Sequence, residues 1–144
     1  MSGIGRAEIA GLIPHQGPMS LLDRVLQWDA THLDAGATSH RREDHPLRSN
    51  GQLRAVHLCE YGAQAAALHG GLVARAAGAV AAPGYLVALR DVSLARDRVD
   101  DLEGELQIHA ELLLEDRSSW QYLFTAAHAG TPLATGRLAI IRRK

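Results

Sequence analysis

The chain has 144 residues, 47% of them hydrophobic and 22% charged, with a formal net charge of −1. That is the size of one ordinary domain with a real core, read here as a single domain over 1–144, and a near-zero charge excludes binding driven by a basic field toward nucleic acid or an anionic membrane. One cysteine, Cys59, excludes an internal disulfide and suits a reducing compartment.

From the N-terminus, Arg6 to Leu12 fits one or two helical turns. Ile13-Pro14-His15-Gln16-Gly17-Pro18 then breaks regular structure, because two prolines and a glycine fall close together. Neither the start of the chain nor any later stretch has the long apolar run of a signal peptide or a membrane span, so the expectation is a cytoplasmic protein. Leu21 to Trp28 reads as a short helix running into a strand, and Thr31 to His40 as a second, weak strand. His40 to Gly51 is polar and reads as a loop.

The stretch after this loop organises the chain. From Ala55 to Leu68 it is apolar or small on every side, which marks a helix buried all round. One formal charge, Glu60, lies within it. Burying a carboxylate is costly, so either a neighbour satisfies it or its pKa rises and it stays protonated. Alanine and glycine here let a sheet approach closely. Gly70-Gly71 is expected to end or kink the helix, with Leu72 to Val80 as a continuation, and Pro83-Gly84 to stop it. Four strands follow: Tyr85 to Arg96, Gly104 to Leu114, Trp120 to Ala129 and Leu133 to Arg142. The second alternates, with Leu106, Ile108, Ala110, Leu112 and Leu114 on one face. Short turns predict an antiparallel meander. The sheet's apolar face needs cover, and the helix around Glu60 is the segment apolar enough to give it. The expected class is α+β, an antiparallel sheet wrapped around one central helix.

That arrangement resembles the hot-dog fold, and motifs sharpen the likeness. Leu12-Ile13-Pro14-His15-Gln16-Gly17-Pro18-Met19 with Leu21-Leu22-Asp23-Arg24-Val25 resembles the N-terminal signature of 3-hydroxyacyl-acyl-carrier-protein dehydratases. Glu60-Tyr61-Gly62-Ala63-Gln64-Ala65 resembles their helix motif, and His45-Pro46 stands where they carry a catalytic histidine. The set looks most similar to the stand-alone dehydratases of aryl-polyene pigment pathways. It departs from the fatty-acid enzymes in the link between His45 and Glu60, which is one residue longer and has Arg54-Ala55 where they have proline and glycine.

The resemblance implies removal of water from a 3-hydroxyacyl thioester on acyl carrier protein, with His45 as base and Glu60 as acid, supplied by different subunits of a dimer. It implies no cofactor and no metal, and no nucleic-acid or membrane partner. The subunits are expected to form a homodimer or dimer-based oligomer, or a heterodimer with a related hot-dog subunit. Substrate-binding groups are expected at the helix start, where the N–H groups of Ala55 and Val56 are unpaired and the dipole favours an anion, and at Gln64, one turn after Glu60. Arginine fills 14 of the 15 basic positions. Arg41, Arg42, Arg48 and Arg54 flank His45 and form the expected docking surface for an acidic carrier. Arg90, Arg96 and Arg98 come next.

Duller readings stand beside these. His45 fits an ordinary loop histidine, and Glu60 a structural bridge to Arg24 or a pair with His57. His15 reads as a structural donor beneath the sheet and Cys59 as a small buried hydrophobe. His40, Glu43, Asp44 and His45 lack a recognised ligand spacing and read as a solvated loop. Two other functions fit the same fold, a thioesterase and a non-catalytic acyl-thioester binding module.

Overall fold

In the computed structural model, which describes residues 3–80 and 84–142, the elements are β1 (Ile4–Gly5), α1 (Arg6–Ala10), β2 (Arg24–Trp28), β3 (His32–Ala37), α2 (Leu58–Ala76), β4 (Gly84–Leu94), β5 (Leu106–Glu115), β6 (Ser119–His128) and β7 (Thr131–Arg142). A 3-10 turn over Ala55–His57 leads directly into α2. The seven strands form one antiparallel sheet in the order β1-β2-β3-β5-β6-β7-β4, curled around α2. This is the hot-dog fold. Among the described residues no helix is long and apolar enough to cross a membrane.

The buried side of α2 explains why the helix is small and apolar. Leu58, Tyr61, Ala65, Leu68 and Leu72 are buried against Leu33, Ile108, Phe124 and Leu138 from the sheet. At Gly62 a Cβ would lie 2.4 Å from Cγ of Phe124, so only glycine admits β6 at this distance. Gly71 does the same for the N-terminal segment, where a Cβ would meet the Leu12 carbonyl at 2.9 Å. Gly70-Gly71 does not end the helix, which runs on to Ala76. A helical glycine costs about 1 kcal/mol, and the close packing it permits offsets that. The helix stops at Ala77, before Gly78 in the left-handed region at φ 73°. The expected stop at Pro83 falls outside the described residues.

The strands depart from the predicted meander in one respect. β5, β6 and β7 follow one another, but β4 lies at the far edge, paired with β7, while β5 pairs with β3. Residues 95–105 carry the chain across the sheet. The Leu21–Trp28 segment contains no helix, since Leu21 and Leu22 are core residues leading straight into β2. The alternation of β5 holds through Leu112 and then breaks at a register shift, which leaves Leu114 on the surface. As an edge strand, β4 exposes Tyr85, Leu86, Val87, Leu89, Val92 and Leu94 together.

Candidate active site

Glu60 lies in the first turn of α2, and three groups settle its charge. His15 Nε2 stands 3.2 Å from Oε1, and Gln64 Nε2 donates to the same oxygen at 3.3 Å. These hydrogen bonds outweigh burial and hold the carboxyl below its ordinary value, so it is ionised in the isolated chain. His15 is thus a direct partner of the carboxylate, not a donor beneath the sheet. Arg24 is not that partner. It forms a two-pronged bond with Glu105, at 2.8 and 2.7 Å. Nor does His57 pair with Glu60, although its charge adds to the lowering.

Gln64 is fully buried and spends its whole amide on this corner. Its Oε1 accepts from Leu21 N–H at 3.0 Å, and its Nε2 donates to Met19 carbonyl at 2.7 Å as well as to Glu60. One side chain therefore ties the N-terminal signature segment to α2 and orients the carboxylate. Its position one turn after Glu60 is the helical i, i+4 relation.

His45 is only 3% exposed. Its Nδ1 accepts from Leu47 N–H at 3.1 Å, which leaves the proton of the neutral ring on Nε2. Nε2–H then donates to the Tyr61 hydroxyl at 3.1 Å, Tyr61 donates to Ser39 Oγ at 2.8 Å, and Ser39 donates to the Leu21 carbonyl at 2.8 Å. Burial, aided by Arg42 and Arg48, pulls the His45 pKa down to about 4. Burial likewise pushes the Tyr61 phenol up to about 12. The relay is neutral throughout. Among the described residues His45 and Glu60 make no hydrogen bond or ion pair with each other within one chain.

The helix start departs from expectation at one donor. Ala55 N–H is paired with the Asp97 carbonyl at 2.8 Å, so it is not available to a ligand. The sequence hides this because Asp97 comes from the distant crossover segment. Val56 N–H, one residue on, has no partner among the described residues, and Val56 is half exposed. No side chain caps this terminus at Arg54 or His57. Ala55 is not among the residues with positive φ, so alanine replaces the family's glycine here without strain.

Most of the arginines expected to dock a carrier are engaged inside the protein. Arg42 donates to the Pro18 carbonyl at 2.9 Å, Arg48 to the carbonyls of Gly51 and His40 at 3.2 Å each, and Arg54 pairs with Asp97. Arg41 is exposed, and its side chain has no partner among the described residues. Arg96 and Arg98 pair with Asp101 and Asp100. Cys59 is buried, and burial pushes its thiol pKa up, which suits a packing role. His40 bonds the Leu102 carbonyl and does not join His45 in a ligand cluster.

A groove of about 790 Å³ runs along α2 from Glu60 and His15, past Ala63, Ala67, Gly70 and Val73, to Trp120 and Tyr122. It is mostly apolar, and Glu60 presents a carboxylate at one end. His45 does not line it.

A family model described as ApeP-like, the ApeP dehydratase, matches residues 7–144. Among solved structures the chain is similar to the dehydratase heterocomplex ApeI:P from Xenorhabdus doucetiae, at 25% identity over 94% of this chain and 91% of that one, with a TM-score of 0.83. It also shares its fold with AziG of S. sahachiroi, at 16% identity, 92% and 98% coverage and a TM-score of 0.66. A hypothetical thioesterase from Streptococcus pneumoniae, solved with coenzyme A, matches at 12% identity, 83% and 84% coverage and a TM-score of 0.60. No curated protein matches the chain.

Proposed function

The chain belongs to the ApeP-like dehydratase family, and from that premise we propose that it removes water from a 3-hydroxyacyl thioester carried on acyl carrier protein, leaving the trans-2-enoyl thioester. The observation that carries this reading is the Glu60 carboxylate, held by His15 and Gln64 at the end of an apolar groove.

In the reaction a base takes a proton from C2, the C–H electrons become the C2–C3 double bond, and the C3 hydroxyl leaves as water after an acid protonates it. We assign the base to His45 and the acid to Glu60, contributed by two paired hot-dog subunits. That Glu60 lines the groove while His45 of the same chain does not supports that assignment. His45 suits a base in one respect, because it stays neutral far below neutral pH. To offer Nε2 as an acceptor it must move its ring proton to Nδ1, which gives up the Leu47 N–H bond, and release the Tyr61 hydroxyl. Glu60 must carry a proton to act as acid. Closure of the groove by a second subunit removes water and opposes ionisation. We assign Val56 N–H, at an uncapped helix terminus, as the main-chain donor that stabilises negative charge on the thioester oxygen. The second subunit is another copy or a related chain, as in the ApeI:P heterocomplex. Arg41 remains as a docking residue for the acidic carrier.

A second reading has one observation in its favour. His15, with a side chain 28% exposed, lines the groove and touches Glu60, whereas His45 does neither. In that reading the acid–base pair is His15 and Glu60 of one chain.

Mixing the two inactive variants separates them. Co-refolded His45→Ala and Glu60→Gln chains should regain about a quarter of wild-type activity in a homodimer, since half the dimers are mixed and each carries one intact site of two. Full activity of His45→Ala by itself would transfer the base role to His15.

A further inference from the structure

We propose that His32, His109 and Glu111 form a binding site for one divalent cation of the zinc class, on the outer face of the sheet. The strand register builds it. In the antiparallel pair β3–β5, His32 stands directly opposite Glu111, and Asp34 directly opposite His109. Directly opposed side chains on one face lie about 5 Å apart at Cβ. The alternation that buries Leu33, Ala35, Ile108 and Ala110 sends all four polar residues to the other face.

The ligand atoms converge. One nitrogen from each imidazole and one Glu111 oxygen lie within 4.8 Å of one another, with His32 Nε2 3.7 Å from Glu111 Oε2. The imidazole centroids are 5.6 Å apart. A tetrahedral zinc with bonds of about 2.0–2.1 Å needs ligand atoms roughly 3.4 Å apart. Side chains that are each more than a third exposed can make that contraction by rotation, without moving the strands.

Hydrogen bonds behind the two rings also bear on their tautomers. His109 Nδ1 donates to Asp34 Oδ1 at 2.6 Å, and Gln27 Nε2 in turn donates to Asp34 Oδ2 at 2.8 Å. His32 Nδ1 is held by Thr31 Oγ1 at 2.8 Å and lies 3.4 Å from Asp29 Oδ1, which itself accepts from the N–H groups of Thr31 and His32. Thr31 Oγ1 donates to Asp29 Oδ1 at 3.4 Å and so is free to accept from His32 Nδ1–H; in the tautomers with both Nδ1 atoms donating, both Nε2 atoms present lone pairs. A carboxylate behind each imidazole is the arrangement that orients and strengthens histidine ligands to zinc. Two imidazoles select a borderline transition cation over calcium or magnesium, and two His with one Glu leave a fourth position for water. None of the three residues lines the groove, so the cation is structural to the β3–β5 pair and separate from the dehydration site.

The test is zinc binding to the full, untagged chain. Calorimetry should give one Zn²⁺ per chain with a dissociation constant in the micromolar range, and saturating Zn²⁺ should raise the thermal midpoint. Cobalt should bind with the intense visible absorption of a four-coordinate site. His32→Ala and His109→Ala should each weaken binding at least about 10-fold, and Asp34→Asn by about 10–100-fold. His128→Ala, at a half-buried histidine bonded to the Glu103 carbonyl and outside the trio, should change nothing. Substoichiometric binding by the wild type would overturn the proposal, as would unchanged affinity in the His32→Ala/His109→Ala double variant with its circular dichroism intact.

Discussion

His45 is a neutral ring locked between Leu47 N–H and the Tyr61 hydroxyl, and that has a consequence for stability. The unfolded chain protonates this residue near 6.5, the folded chain only near 4. Between those values the unfolded state binds more protons, so stability present above pH 6.5 is lost as the pH falls toward 4. Burial lowers His40 and His69 in the same direction. Thermal midpoints measured from pH 7 to pH 4.5 should therefore fall, and His45→Asn should fall less steeply than wild type. Equal slopes would mean that His45 does not titrate with folding. Glu60 was legible in the sequence as a lone charge in an apolar helix. Its partners were not, because His15 arrives from a loop 45 residues earlier, and Arg24 finds Glu105 only through the register of β2, β3 and β5. The metal-type trio was invisible for the same reason, since His32 and His109 meet only across a strand pairing.

At the scale of elements, α2 is a helix whose small residues are contact points. Gly62→Val places a branched side chain against Phe124, and overpacking of this kind costs about 1–3 kcal/mol, of which valine's better helix propensity recovers only a small part. Denaturant unfolding should show that loss with an unchanged slope. Ala63→Val, one residue on and facing the groove, should cost much less. The helix, its composition and the alternating strands could be read from periodicity. The sheet order could not, because a crossover and a tight hairpin leave the same signature in sequence until pairing partners are known. Gly70-Gly71 misled for a related reason. A glycine signals a break only when nothing packs where its side chain would be, and the Leu12 carbonyl packs at Gly71.

In the proposed reading the whole molecule acts as a pair of subunits. β4 presents an apolar edge with unpaired backbone, a template for a second subunit. Val87→Lys, at the middle of that edge, should convert the assembly to monomers in light scattering and abolish activity with it. A monomeric wild type at micromolar concentration would contradict the paired-subunit account. Subunit pairing also bears on the proposed acid, because Glu60 is held ionised in the lone chain and the proposal has closure of the groove restore its proton. The most direct measurement follows the carrier-linked 3-hydroxyacyl substrate by intact mass and times the loss of one water. Wild-type protein with its pairing subunit should dehydrate the substrate, and Glu60→Gln, folded and paired, should be slower by about 10²–10⁴-fold. A folded Glu60→Gln variant that dehydrates at the wild-type rate would contradict the account.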